Sequence, residues 1–297
     1  MARLADRIPE NADGVFFVDD SCIDCDACRQ LAPQTFARAD GRSQSYVAAQ
    51  PADAATRQRA LMALVACPTS SIGTSPRLDA RAAAAAFPER VEDEVYSCGY
   101  HSAASYGAAS YLIVRPGGNV LVDSPRAARP LFERIAALGG VRWLVLTHRD
   151  DVADHEQLAR RFGCERVMHA ADVGSLPIER RISGVDPVAL DEELTLVPVP
   201  GHTRGSMALL YRDTFLFTGD HLWWDDDVAR LDAGRAVCWY SWSEQLRSVE
   251  RLRRHRFRWL LPGHGRRWRA PSVAAMQAEL ARTLAALDGP ARAALLR

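Results

Sequence analysis

The chain has 297 residues, a formal net charge of zero and 48% hydrophobic residues, so it can hold one large domain plus a small one and has no global attraction for nucleic acid or anionic membrane. All 37 basic residues are arginine, which excludes a phosphate-loop lysine, a Schiff-base lysine and a lysine general base. No stretch reads as a membrane span and the first ten residues lack the apolar core of a secretory signal, so the expected compartment is the cytoplasm, where the seven cysteines read as metal ligands rather than disulfide partners.

In chain order, residues 1–75 form a first unit: a strand at 15–18, a loop with Cys22, Cys25 and Cys28, a helix over 52–65, then Cys67 before Pro68. Residues 76–94 read as a linker, rich in alanine and arginine and broken by proline. From 95 to 297 the pattern is mixed. Two apolar runs within 110–124 reverse at Gly117 and Gly118 as a hairpin. Short strands are expected at 143–146, 166–169, 194–199, 207–211, 215–218 and 259–261. They alternate with helices at 128–138, 152–162, 243–254 and 272–287, an α/β pattern with helices covering sheets. Most candidate ligands fall just past the end of a strand, where a rigid sheet can hold several loops in convergence.

Three thiolates spaced every third residue on one loop, with a fourth arriving from afar, suit the four corners of one 4Fe-4S cluster, so Cys22, Cys25, Cys28 and Cys67 are its expected ligands. This resembles the bacterial ferredoxin family over roughly the first 75 residues, as a small α+β domain. Two-cluster ferredoxins carry another cysteine before a proline where this chain has Ala32 and Pro33, so one cluster is expected. Asp19, Asp20, Asp24 and Asp26 read first as solvated loop charges and second as a docking face for a redox partner. Cys98, Cys164 and Cys238 read as small buried hydrophobes.

The second constellation is His148, Asp150, Asp151, Asp154 and His155 after an apolar run, then His202 in a Gly-His pair, Asp220 after Gly219, and His264 after Gly263. Imidazoles and carboxylates together suit zinc, iron or manganese in a catalytic site. Their order resembles the metallo-β-lactamase superfamily across about residues 95–270. That resemblance implies an αββα sandwich of two sheets between helix layers, with a metal pair at one sheet edge. Carried over by motif, His148 and His202 would serve one metal, Asp154, His155 and His264 the other, and Asp220 would bridge. The family's His-x-His-x-Asp-His pattern is altered here: Asp150 or Asp151 stands for the second histidine, and two residues are inserted before Asp154. A carboxylate there tilts the site toward iron.

The expected cofactors are therefore one 4Fe-4S cluster and one or two Fe or Zn ions. Asp154, Asp220 and His221 are the candidate catalytic residues, His221 by orienting a neighbouring ligand. His169 and His255 read as structural, and His101 as a loop residue with local hydrogen bonds. Trp223, Trp224, Trp239 and Trp242 read as core first and as pocket walls second. The fusion favours redox chemistry on a small-molecule substrate, with the cluster fed by an external electron donor; the alternative is a zinc-type hydrolase of an ester, thioester or phosphodiester. A nucleic-acid enzyme using the eight arginines of 251–269 is the weakest reading, so neither nucleic acid nor membrane is expected as a partner.

Overall fold

The computed structural model describes residues 2–39, 41 and 43–288. The chain forms two compact units. One comprises the described residues up to Leu144 together with Val152–Cys164, and the other Val145–Asp151 together with the described residues from Glu165 onward. No helix among the described residues is long and apolar enough to cross a membrane.

In the first unit, strand Phe16–Val18 pairs antiparallel with Ile72–Thr74, and Phe36–Arg38 with Ser45–Val47. Helix Ala54–Ala66 starts at a capping box: the Asp53 carboxylate accepts from the Thr56 N–H at 2.8 Å and the Thr56 hydroxyl accepts from the Asp53 N–H at 3.1 Å, satisfying two helix-end donors. Ala60, Leu61 and Ala63 of this helix are buried, as are Phe16, Phe17, Phe36 and Val47. An antiparallel meander follows, Glu89–Glu92, Val95–Ser97, Tyr111–Ile113 and Val120–Val122. Its last turn is the expected hairpin, with Gly118 at φ +95° near the reversal. Helix Arg129–Ala137 carries proline at its first turn, and helix His155–Phe162 ends at Gly163, whose φ of +63° suits a left-handed cap. The latter begins three residues later than the periodicity implies because residues 150–154 are spent on a loop.

In the second unit, six strands lie in the order Val188–Ala189, Leu194–Pro198, Met207–Tyr211, Phe215–Gly219, Trp259–Pro262, Trp268–Arg269. All neighbours are antiparallel except Phe215–Gly219 with Trp259–Pro262, which run parallel so that both finish at the same end of the sheet. Helices Trp242–Leu252 and Val273–Asp288 cover this sheet through Val249, Leu252, Met276 and Leu280, packed with Leu210, Leu216 and Leu260. Glu165–His169 pairs in parallel with Arg180–Ile182. The last nine residues of the expected second domain lie outside the described residues.

Candidate cluster cage and metal centre

Cys22 and Cys25 sit on the loop after strand Phe16–Val18, Cys28 in the short helix Ala27–Leu31, and Cys67 at the C-cap of helix Ala54–Ala66. Asp24 and Asp26 adopt left-handed φ values of 58° and 67°, the tight path that two-residue spacing between cysteines requires. All four cysteines line one cavity with Val18, Ile23, Pro68 and Ile72. Two backbone N–H groups are aimed at sulfur, Ser45 to Cys22 at 3.4 Å and Ser71 to Cys67 at 3.3 Å. Burial, reinforced by the neighbouring cysteines, pushes the Cys25 thiol up to about 12 and that of Cys28 further. Bare thiolates are disfavoured in this pocket, whereas thiolates shared with iron and supported by N–H donors are not; the donor set fits a 4Fe-4S cluster.

Residues much later in the chain complete the cage. Gly107, at φ +85°, lies so near Cys25 that an added Cβ would come within 2.5 Å of its Cβ and 2.9 Å of its sulfur. The His101 N–H donates to the Ala66 carbonyl at 3.1 Å, and the Arg126 guanidinium to the Val65 and Cys67 carbonyls at 2.9 and 3.5 Å. His101 Nδ1 is bonded to the Ala108 carbonyl at 2.9 Å, the local role expected of it. Asp24 and Asp26 pair with Arg29 at 2.6 and 2.5 Å, and Asp24 also with Arg38 at 2.9 Å, so these acids stitch the cysteine loop together.

The metal centre belongs to the second unit. His148 follows the strand Trp143–Val145, His202 lies between Leu194–Pro198 and Met207–Tyr211, Asp220 follows Phe215–Gly219, and His264 follows Trp259–Pro262. One carboxylate oxygen, Asp220 Oδ2, lies 3.6, 3.9 and 3.7 Å from Nε2 of His148, His202 and His264. Asp150 Oδ2 is 3.3 Å from His202 Nε2, and Asp151 Oδ2 is 4.0 Å from His148 Nε2. Ligands bonded to one ion at about 2.0–2.2 Å stand about 3.4 Å apart in a tetrahedron, so these separations suit groups sharing a cation.

Three further observations fit an ion. His202 Nδ1 donates to the Val237 carbonyl at 2.6 Å, which fixes the tautomer and leaves the Nε2 lone pair facing Asp150 and Asp220. Lone pair and carboxylate repel unless positive charge lies between them. Asp220 Oδ1 is buried without a hydrogen-bond partner among the described residues. A Cβ on Gly263 would come within 2.8 Å of that oxygen and 2.9 Å of Asp151 Oδ2, so glycine there keeps the cradle open. Burial raises the Asp220 carboxyl, and only positive charge on the His264, His148 and His202 side, whether protons on the rings or a cation in their place, holds the group well below the usual carboxylate range. A proton or cation on His202 Nε2 likewise holds the Asp150 carboxyl low.

Asp150 and Asp151 therefore both stand among the candidate ligand atoms: those of His148, Asp150 and His202 lie within 4.8 Å of one another, as do those of His148, Asp151 and Asp220. Asp154 and His155, expected as ligands, are in neither group and belong to the other unit. The Asp154 carboxylate accepts from the Ala127 N–H at 2.7 Å and the Gln157 amide at 2.9 Å, and His155 is buried at the head of its helix. His221, expected as catalytic, is buried; burial pushes it down to about 3, so it is a neutral ring with no imidazolium proton to donate. Its carbonyl accepts from the Gln245 amide at 2.5 Å.

One residue had no signal in the sequence. The buried Asp172 carboxylate accepts from the Arg149 N–H at 3.2 Å, the Thr203 hydroxyl at 2.5 Å and the Gly205 N–H at 2.8 Å. It thereby straps the loop bearing His148 and Asp150 to the loop bearing His202. Other candidates are structural: His169 bonds the Gly184 carbonyl at 3.0 Å, and burial raises the Cys98 thiol to about 12. In the arginine run, Arg253 pairs with Glu250 at 2.9 Å, Arg266 pairs with Asp226, and Arg269 lies over Trp259.

Residues 18–74 match the family described as the 4Fe-4S single cluster domain of Ferredoxin I, and residues 92–251, just over half the chain, match the Metallo-beta-lactamase superfamily. Curated relatives include the hydroxyacylglutathione hydrolases of Acidiphilium cryptum, 32% identical over 118 residues covering 38% of this chain and 48% of that one, and of Methylococcus capsulatus, 33% identical over 156 residues covering 48% and 56%. The chain spans about half the length of the curated relatives it matches. Among solved structures, a metallo-beta-lactamase from Hirschia baltica is similar with a TM-score of 0.48 at 16% identity, covering 64% of this chain and 95% of that one. An archaeal superfamily protein from Sulfolobus tokodaii gives 0.43 at 16%, covering 65% and 86%.

Proposed function

We propose that this chain, which belongs to the metallo-beta-lactamase superfamily and carries a single-cluster ferredoxin domain, is a metal-dependent hydrolase of a thioester or ester. The observation that carries the reading is the Asp220 carboxylate set among three Nε2 atoms, with Asp150 and Asp151 beside it. Its direction toward hydrolysis comes from the relatives, which are named hydroxyacylglutathione hydrolases. The sequence favours redox chemistry on the strength of the fusion alone, and the curated relatives, named as hydrolases, do not support that preference.

His148, His202, His264, Asp220, Asp150 and Asp151 would hold the ion or ions. A divalent cation supplies a Lewis acid that polarises the scissile carbonyl and acidifies water. The chain's own groups do the rest. Asp150, whose side chain is 43% exposed, stays ionised beside His202 and is the carboxylate reachable from solvent, so it accepts a hydrogen bond from the attacking water and orients it. The Val237 carbonyl holds the His202 ring in one tautomer, and Asp172 fixes the loops on which the ligands ride. The cluster, in this reading, ties the end of helix Ala54–Ala66 to the N-terminal loop and takes no part in bond cleavage.

The test is thiol release from a hydroxyacylglutathione and from simpler acyl thioesters by anaerobically purified protein loaded separately with zinc, iron or manganese. Saturable release, abolished in His202→Ala, supports the reading. Metal-loaded protein that releases no thiol from any of them, but whose second metal changes oxidation state when the cluster is reduced, overturns it in favour of electron transfer.

A further inference from the structure

The segment after strand Arg230–Asp232 is fastened to the ligand loop by its backbone. The N–H groups of Trp239 and Tyr240 both donate to the His202 carbonyl, at 2.9 and 3.1 Å, and the Ser241 N–H donates to the Gly201 carbonyl at 3.1 Å. The Val237 carbonyl accepts from His202 Nδ1, and the Cys238 thiol donates to the Gly201 carbonyl at 3.1 Å. With Cys238 facing the ligand loop, its neighbours stand outward: Val237, Trp239 and Tyr240 are 39%, 60% and 48% exposed. The Trp239 ring centre is 6.2 Å from that of His202.

Scattered exposed apolar residues need no explanation, but contiguous ones beside a site do. The other exposed large hydrophobic residues described, Leu4, Tyr106, Val185 and Val228, are dispersed along the chain. The remaining tryptophans of this region are half-buried and packed: Trp224 stacks on Trp268 at 4.8 Å, Trp223 packs against Gly265, and Trp242 lies against the helix-covered core. Of the four tryptophans the sequence offers as possible pocket walls, Trp239 is the exposed one, and it stands beside the candidate ligand His202.

We infer that Val237, Trp239 and Tyr240 form an acyl-binding shelf, so that the centre prefers an extended apolar or aromatic acyl group to a short polar one. The inference rests on the hydrolytic reading and adds the substrate class to it. An acyl chain lying on this shelf covers apolar surface that is otherwise wet, while its carbonyl end reaches the ligands beside His202.

The experiment has a kinetic arm and a binding arm. Across acetyl, butyryl, hexanoyl and phenylacetyl thioesters of one thiol, kcat/KM should rise roughly two- to fourfold per added methylene, the factor for partial to full burial of that group. Trp239→Ala should flatten this dependence through KM, and Trp239→Phe should restore it. Separately, hexanoate added to metal-loaded protein should quench tryptophan fluorescence in the unsubstituted protein but not in Trp239→Phe. Hydrolysis with no chain-length dependence and no quench overturns the shelf. If no thioester is cleaved at all, the hydrolytic reading falls, and the quench still decides whether the shelf binds acyl groups.

Discussion

Replacing Asp172 by asparagine isolates what a buried carboxylate does for a centre it never touches. The carboxylate serves three donors, with the Gly205 N–H on Oδ1 and the Thr203 hydroxyl and Arg149 N–H on Oδ2. The amide keeps the shape but has one acceptor oxygen. If that oxygen faces Gly205, the Arg149 N–H meets an NH2 group; if it faces Arg149, the Gly205 N–H does. The Thr203 hydroxyl can rotate, because Ser206 Oγ lies 2.7 Å away as an alternative partner, but a backbone N–H cannot. One buried donor is stranded in either orientation, at a cost of about 1–3 kcal/mol, and charge assistance to the others is lost as well. Both stranded candidates sit on ligand loops, so the cost falls on metal geometry, and affinity should drop roughly 10–100-fold, the usual effect of removing a partner of this kind. Chelator competition measures it, with thermal unfolding of the metal-free protein as the companion reading. A folded Asp172→Asn protein that binds metal within threefold of the unsubstituted chain would refute the strap.

Cys67→Ser should lose the cluster, seen as loss of about four iron and four sulfide per chain in anaerobic protein and of the visible absorption they cause. Gly219→Ala forces a side chain onto a residue at φ +50° and drives its Cβ within 2.9 Å of Thr147 Cβ; strain alone costs about 1–2 kcal/mol, and both thermal stability and metal content should fall together. Glu179 is held down to about 2, chiefly by the Arg166 guanidinium at 2.5 and 3.0 Å and also by the Arg166 N–H at 2.9 Å. Because folding lowers this pKa, its contribution is present above about pH 4.3, the unfolded value, and fades as pH falls toward 2. Glu179→Gln should therefore flatten the acid limb of the stability curve between those values, and an unchanged limb in a pH series of urea melts would dismiss the pairing.

The centre was legible where chemistry and geometry leave the same trace. Gly201, Gly219 and Gly263 each precede a candidate ligand, and each is a place where another part of the chain comes too close for a Cβ. The long apolar runs at 207–211 and 215–218 became the buried central strands for the same reason they were readable. Short polar strands such as Arg180–Ile182 carry no periodicity and left no trace. Order in sequence also could not separate Asp150 and Asp151 from Asp154 and His155: all four lie within one helical turn and a half, and only the fold decides which carboxylates face imidazole and which grip a backbone N–H. Asp172 was invisible because its partners Thr203 and Gly205 lie 31 and 33 residues further on.

Gly107 and Arg126 bear on whether the two recognisable modules can be taken apart. Residues 18–74 match the single-cluster ferredoxin domain family, yet one wall over Cys25 and the guanidinium holding the Cys67 carbonyl are encoded beyond residue 100. A fragment ending at 75 keeps all four thiols and forfeits that cover, so its cluster would face water and dissolved oxygen that the full chain screens. What reads as a portable cassette has become, through a glycine and an arginine, a part that its host must finish building.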